Sequence, residues 1–438
     1  MATLQPYKKY NSVAYDYATE LPDGWQLLRN IAIFQERIER GYENEELLSV
    51  TIGRGVIKQS DLDKKDSSTL DKSKYLLVYP NDLVYSMRFR QGASGYSNYK
   101  GIVSPACTVL KPRKGVKFNP RYYHYMLRTG FYKNYAERYA YGIADGQMPL
   151  RYFDFKRMYS IVPPLEVQNS IVAYLDKKNS EIDKFIRNKE RLIELLDEQL
   201  LHKINKALTI GLEENAELKN MNIPNIPSIL SHWKIKKFKW LTSILSCGYA
   251  STPEYVDEEK GVVFLSAQNC RPFKMDFNKF NYITPSLHKK LTQNKKPRRG
   301  DVLVTRVGAG IGDACVVDID LEFSVYVSLT HIRTTKEVLS EYIVYFFKTQ
   351  YCIQLNNEGT IEAGGQGNLN VKNVEKYRFP LPPINEQLNI CKYLDGERKK
   401  INLAISKAQK EISSIKEYRE ALITDLVTGK RSLNCDLE

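Results

Sequence analysis

The chain has 438 residues, with 65 Lys and Arg against 51 Asp and Glu, a net charge of +14. That length calls for two or more domains, and a hydrophobic content of 42% excludes a disordered tail protein. The basic balance points to a polyanionic partner, either nucleic acid or an anionic membrane surface. Residues 1–17 hold no apolar run and no cleavage signature, and no stretch of about 18 apolar residues follows, so a soluble protein is expected. The seven Cys are scattered without a Cys-x-x-Cys pair, and the five His do not cluster beside them. This disfavours a zinc site or a disulfide framework and fits a reducing compartment.

In chain order, Asp82-Leu83-Val84 is the first strand-like run, and Arg88-Phe89-Arg90-Gln91-Gly92 follows it as a loop. Arginine can take guanine bidentately in the major groove and glutamine can take adenine, so Arg88, Arg90 and Gln91 are candidate DNA contacts, with Arg54 beside them. Residues 122–139 read as short helices. A Pro pair, Pro163-Pro164, then opens a helix of about 44 residues that stops at Thr209-Ile210-Gly211. The Asn- and Pro-rich stretch 211–227 reads as a linker.

Beyond it, residues 262–265 and 302–305 look like strands, and 341–351 looks like a helix. Gln268 and Asn269 end the first of those strands as two amide readers. The cluster Lys295-Lys296-Pro297-Arg298-Arg299, with Arg306 after the next strand, suits phosphates, and Arg298, Arg299 and Arg306 are the candidates there. Gly308–Gly312 superficially resembles a nucleotide loop, but a strand-like run follows it, so a tight turn between strands is expected. A second Pro pair, Pro382-Pro383, opens a second long helix that stops at Thr428-Gly429.

The two long helices are copies. Residues 162–209 align without a gap to 381–428 at an offset of 219, with 13 identities where chance gives roughly three. Pro163/Pro382, Gln168/Gln387, Tyr174/Tyr393 and Asp176/Asp395 match. The same offset relates Gly146-Gln147 to Gly365-Gln366, and Asp82 to Asp301. Heptad seams run through Leu394, Ile401, Ala408, Ile415 and Leu422, and through Leu175, Ile182, Lys189, Leu196 and Lys203, the two lysines being imperfections. Two such helices in one chain pair most simply antiparallel, because a whole domain lies between them.

Charge is divided unevenly. It is +9 in 1–160, −2 in 161–225, +6 in 226–378 and +1 in 379–438. Near-neutral helices disfavour a membrane-binding role, and two basic lobes suit two contacts on one duplex. The 30 Tyr are assigned to packing rather than base stacking. No Walker A loop and no Asn-Pro-Pro-aromatic methylation motif occur, and Glu258-Glu259-Lys260 reads as surface charge, so no catalytic residue and no metal ligand is assigned.

The doubled PPLEVQ…YLD and PPINEQ…YLD helices, GDVLVTRVGAGIG at 300–312, the Gly-Gln turns at Gln147 and Gln366, and the early Trp25 and Trp233 resemble the specificity subunits of type I restriction-modification systems. The resemblance covers nearly the whole chain. It implies a mixed α/β fold with two target-recognition domains (1–160 and 226–378). Two long antiparallel coiled-coil-like helices separate them, within 161–225 (which includes the linker) and 379–438, as a pseudo-two-fold internal repeat. Each domain would read one half of a bipartite DNA target, with Gln147 and Gln366 among the contacts. The helices would set the spacer and dock modification subunits, with Gln168, Tyr174, Asp176, Gln387, Tyr393 and Asp395 as the matched positions. The resemblance further implies a non-catalytic subunit without a cofactor of its own, and two modification subunits using S-adenosylmethionine. Restriction subunits, two where present, would use ATP and Mg. The implied setting is the prokaryotic cytoplasm, associated with the nucleoid and not with a membrane. Val167 stands where the second copy has Glu386, so the Pro-Pro…Glu-Gln motif is complete once. The rivals are a nuclease or methyltransferase acting alone, and a non-specific coiled-coil scaffold.

Overall fold

The computed structural model describes residues 4–13, 15, 18–62, 71–140, 150–213, 215–308, 310–363 and 366–433. Contacts divide the chain into two compact units, Met1–Lys189 with Gln409–Glu438, and Glu190–Ala408. The second unit is 219 residues long, the length of the repeat offset. The boundary therefore runs through both long helices, Leu165–Ile210 and Ile384–Val427, rather than setting them apart from the lobes.

Each lobe carries the same four-stranded antiparallel sheet. In the first unit the order is Ser94–Tyr96, Leu83–Tyr85, Thr108–Pro112, Phe34–Glu36. In the second it is Ala314–Val316, Val302–Thr305, Leu329–Thr334, Thr242–Cys247. Buried apolar runs such as Leu83, Val84 and Tyr85, or Val302, Leu303 and Val304, are expected of strands covered on both faces. A two-stranded antiparallel ribbon leads into each long helix, Gln26–Arg29 with Tyr159–Val162 and Lys234–Lys237 with Arg378–Leu381. The mixed α/β class with two long helices is what the structure shows.

The 122–139 stretch is two helices, Pro120–Arg128 and Gly130–Glu137. They break at Thr129, whose side chain accepts from the Tyr132 N–H at 3.1 Å and so caps the second. The second unit repeats the device with Ser340–Phe346, Gln350–Glu358 and Thr349, which accepts from the Cys352 N–H at 3.2 Å. The expected linker is corrected in part. Leu218–Ile223 pairs antiparallel with Ile226–Leu230 around Asn225 at φ 58°. Ile223, Ile226, Ile229 and Leu230 pack with Ile204, Leu208 and Trp233, so apolar burial overrides the turn-like composition.

Both long helices end as their Thr-Gly signals require, on Gly211 at φ 70° and Gly429 at φ 74°. A Cβ on Gly211 would lie 3.4 Å from the Trp233 ring, and one on Gly429 would lie 3.1 Å from the Trp25 ring. Each tryptophan thus packs on the glycine that stops the helix in its own unit. The seam positions Leu175, Ile182, Leu394, Ile401, Ala408 and Leu422 are buried. The two seam lysines are not defects. Lys189 meets Glu411 at 2.6 Å in the first unit, where Asp183 also pairs with Arg419, and that order makes the helix segments antiparallel. Lys203 meets Glu397 at 2.9 Å in the second. Among the described residues no helix is long and apolar enough to cross a membrane.

Candidate nucleic-acid interface

The glutamines matched between the two copies are buried fasteners. Gln168 accepts from the Asn119 N–H at 3.0 Å and donates to the Pro163 carbonyl at 2.9 Å. Gln387 accepts from the Leu339 N–H at 2.9 Å and donates to the Glu337 and Pro382 carbonyls, both at 2.9 Å. Each ties the start of a long helix to the start of a lobe helix. Asp176 and Asp395 repeat the theme about two turns further on, accepting from the Tyr125 and Tyr345 hydroxyls at 2.7 Å each. Burial first, then the aspartate bond, pushes both phenols up, so they remain donors. Tyr174 is half-buried, whereas Tyr393 is exposed beneath the Lys203 ammonium, 5.9 Å from its ring centre. Glu386, which has no counterpart in the first copy, accepts from the Trp233 indole N–H at 2.9 Å and pairs with His232 at 2.7 Å.

In the first unit Arg54, Arg88, Arg90 and Gln91 are all exposed on the tips of two hairpins. Arg54 lies in the turn between Leu48–Thr51 and Gly55–Lys58, and donates to the Asp61 carbonyl at 3.2 Å. The other three lie between Leu83–Tyr85 and Ser94–Tyr96, where Arg90 pairs with Glu137 at 2.7 Å. Among the described residues no carboxylate lies within ion-pair range of Arg88. Gln147 lies outside the described residues.

The second unit sorts its candidates differently. Arg298 and Gln268 are exposed, and Arg299 is exposed but paired with Asp320 at 2.7 Å. Asn269 is corrected from reader to scaffold. It is fully buried, accepts from the Ser266 N–H at 2.9 Å and donates to the Asp276 and Lys279 carbonyls at 2.8 Å. Arg306 is corrected likewise, being 8% exposed, with its guanidinium on the Leu369 carbonyl at 3.0 Å and the Asn368 amide oxygen at 2.9 Å. Buried polar groups must be satisfied: both amide hydrogens of Asn269 are taken, and burial holds the Arg306 guanidinium among loop acceptors rather than at the surface. Gln366 pairs through its backbone with Ala363, and its side chain lies outside the described set. The glycine run 308–312 sits in a hairpin loop closed by the Thr305 N–H on the Asp313 carbonyl at 2.8 Å, and no helix follows it. Asp301 anchors the base of that hairpin. Burial alone would raise its pKa, but His331 and Arg333 hold it down to about 2. Among the described residues no group of three or more His, Cys, Asp or Glu is arranged to hold a metal ion.

The family model of the type I restriction modification DNA specificity domain matches residues 259–414. The type I restriction enzyme MjaX specificity subunit of Methanocaldococcus jannaschii is 26% identical, with 98% of each chain covered. The EcoKI specificity subunit of Escherichia coli K12 is 23% identical, with 96% of each covered. Over nearly its whole length the chain is similar to type I restriction enzyme specificity subunits. The fold agrees. A chain solved in work on complex assembly and conformational transition of the type I R-M system superposes with a TM-score of 0.70 at 16% identity, over 94% of this chain and 99% of that one. The HsdS subunit of Thermoanaerobacter tengcongensis gives 0.52 at 16% identity, over 96% and 99%. This likeness leaves a nuclease or methyltransferase acting alone, and the non-specific scaffold, without support.

Pattern reading missed two basic residues that hold hairpin loops of the sheets. Arg128 and Lys348 both precede a capping threonine and both reach a hairpin loop of the sheet. Their separation is 220 rather than 219, because one extra residue lies between Asp301 and Lys348 compared with the stretch from Asp82 to Arg128. A search for equal offsets therefore passes over the pair.

Proposed function

We propose that this chain is the DNA sequence-recognition subunit of a type I restriction-modification complex in which each unit reads one half of a bipartite duplex target. The observation that carries this is the repetition of one sheet order in two units, each with exposed basic or amide side chains on its loops. Arg54, Arg88, Arg90 and Gln91 would face one half-site, and Gln268, Arg298 and Arg299 the other, arginine and glutamine reading base edges or holding phosphates. The long helices would set the unread spacer. At 1.5 Å per residue the first would be about 69 Å long. Exposed apolar side chains on the helices, among them Leu192, Leu195 and Leu403, fit a docking role for two modification subunits. The chain itself would be non-catalytic, with S-adenosylmethionine held by the modification subunits, and ATP and Mg by restriction subunits where these are present. A prokaryotic cytoplasm is the proposed location.

The test is co-expression with a type I modification subunit from the same source, followed by sequencing for methylated adenines. A bipartite motif with a fixed spacer is expected, and no methylation by the chain alone. Methylation or cleavage by the purified chain without partners would overturn the proposal.

A further inference from the structure

We infer that Arg128 is a positioning residue for recognition, locking two hairpin tips of the first unit into one DNA-facing edge. The inference rests on the proposal that Arg54, Arg88 and Gln91 touch DNA. Arg128 ends the helix Pro120–Arg128, and its guanidinium lies between the two hairpins. One terminal nitrogen donates to the Gly92 carbonyl at 2.9 Å and the Ser94 carbonyl at 2.6 Å. The other donates to the Ile52 carbonyl at 2.5 Å and the Gly53 carbonyl at 3.2 Å. Four backbone oxygens from two tips thus converge on one cation. The residues next to those oxygens in sequence include Arg54 on one tip and Gln91 on the other, with Arg88 on the same second loop.

The hairpins also meet backbone to backbone. A Cβ on Gly95 would come within 2.9 Å of the Gly55 Cα and 3.1 Å of the Val56 nitrogen, and Gly55 itself is at φ 71°. Only glycine fits there without displacement. Apolar packing holds the second tip, where Phe89 is fully buried against Tyr85 and Tyr132, but gives the first tip little hold, since Ile52 is 44% exposed. The placement of the first tip on the second therefore depends on the glycine crossing and on the guanidinium fork, whose fixed geometry suits several acceptors at once. The fork also offsets the partial negative charge of four clustered carbonyls, which would otherwise oppose a phosphate.

The second unit has a counterpart with other chemistry. Lys348 follows its lobe helix, precedes the capping Thr349, and reaches the Asp313 carboxylate at 2.6 Å. Asp313 closes the loop that starts at Arg306. A cation just before the capping threonine holds the sheet's edge hairpin in both units.

The experiment uses the complex with modification subunits and competition binding by duplexes altered in one half-site at a time. Arg54→Ala, Arg88→Ala and Gln91→Ala, combined, define the half-site read by the first unit. Arg128→Gln should cut base discrimination at that same half-site by about tenfold or more, the scale of one lost bidentate contact. Discrimination at the other half-site should stay as in wild type, and Arg128→Lys should restore part of the loss. Gly95→Ala, which displaces the same crossing without touching the cation, should give the same one-sided loss, and decides the matter should Arg128→Gln fail to fold. If the triple variant alters neither half-site, the underlying assignment of contacts fails. If the triple variant acts but Arg128→Gln and Gly95→Ala do not, or if they weaken both half-sites equally, the positioning role is overturned.

Discussion

The side-chain oxygen of Gln387 accepts the Leu339 N–H at 2.9 Å, fastening the start of a long helix to the start of a lobe helix. Its amide nitrogen serves two carbonyls, so removing the side chain would orphan one buried donor and two acceptors. We expect Gln387→Ala to cost about 2–3 kcal/mol, by the price of unpaired buried groups. Denaturant melts and faster hydrogen exchange at the Leu339 amide would show it, while unchanged exchange there would refute it. Gln168→Ala should act alike at Asn119.

Asn269 and Arg306 should behave as structural residues and Arg298 as a binding residue. Asn269→Ala leaves an N–H and two carbonyls without their partner, and should destabilise the second unit by about 2–3 kcal/mol. Arg298→Ala should leave melting unchanged and weaken DNA binding, with a shallower dependence on salt. Equal melting losses in both variants would contradict this division.

His124 gives the first unit an acid sensitivity. Burial, and then the Arg128 and Arg121 guanidiniums, lower its pKa from 6.5 to about 3. The folded chain keeps this ring neutral while the unfolded chain protonates it below pH 6.5. Its contribution is therefore intact above pH 6.5 and is lost as pH falls toward 3. At pH 5 the loss should be about 2 kcal/mol. Thermal melts at pH 7 and pH 5 should show a smaller acid shift for His124→Phe than for wild type.

Lys203 and Glu397 should be coupled across the helix pair. Lys203→Glu should lower the melting temperature by a few degrees through like-charge contact, and Glu397→Lys in the same chain should recover most of it. A double variant no better than the sum of the singles would remove the pairing from any role in register.

Deleting one heptad from each long helix keeps the seam in phase and shortens each by about 10 Å. The methylated motif should then keep both sets of half-site bases and change its spacer. An unchanged spacer would end the ruler proposal.

Much of this was legible before folding. Pro163-Pro164, Pro382-Pro383, Gly211 and Gly429 bound two helices, because a ring-locked φ opens a helix and a left-handed glycine closes it. The roles of single side chains were less legible. Asn269 and Arg306 look like readers in sequence because amide and guanidinium groups read bases and brace loops with the same hydrogen bonds. Lys189 and Lys203 look like flaws until Glu411 and Glu397 are brought opposite them.

The sequence by itself determined the duplication, the two long helices, their stops and the concentration of charge in the lobes, since each follows from local periodicity and composition. Only the tertiary structure decided which polar residues are spent inside. Arg128, Gln168, Gln387 and Arg306 find partners distant in the chain, Asn269 finds its own within one folded-back loop, and whether a donor is free for DNA depends on what folding places beside it.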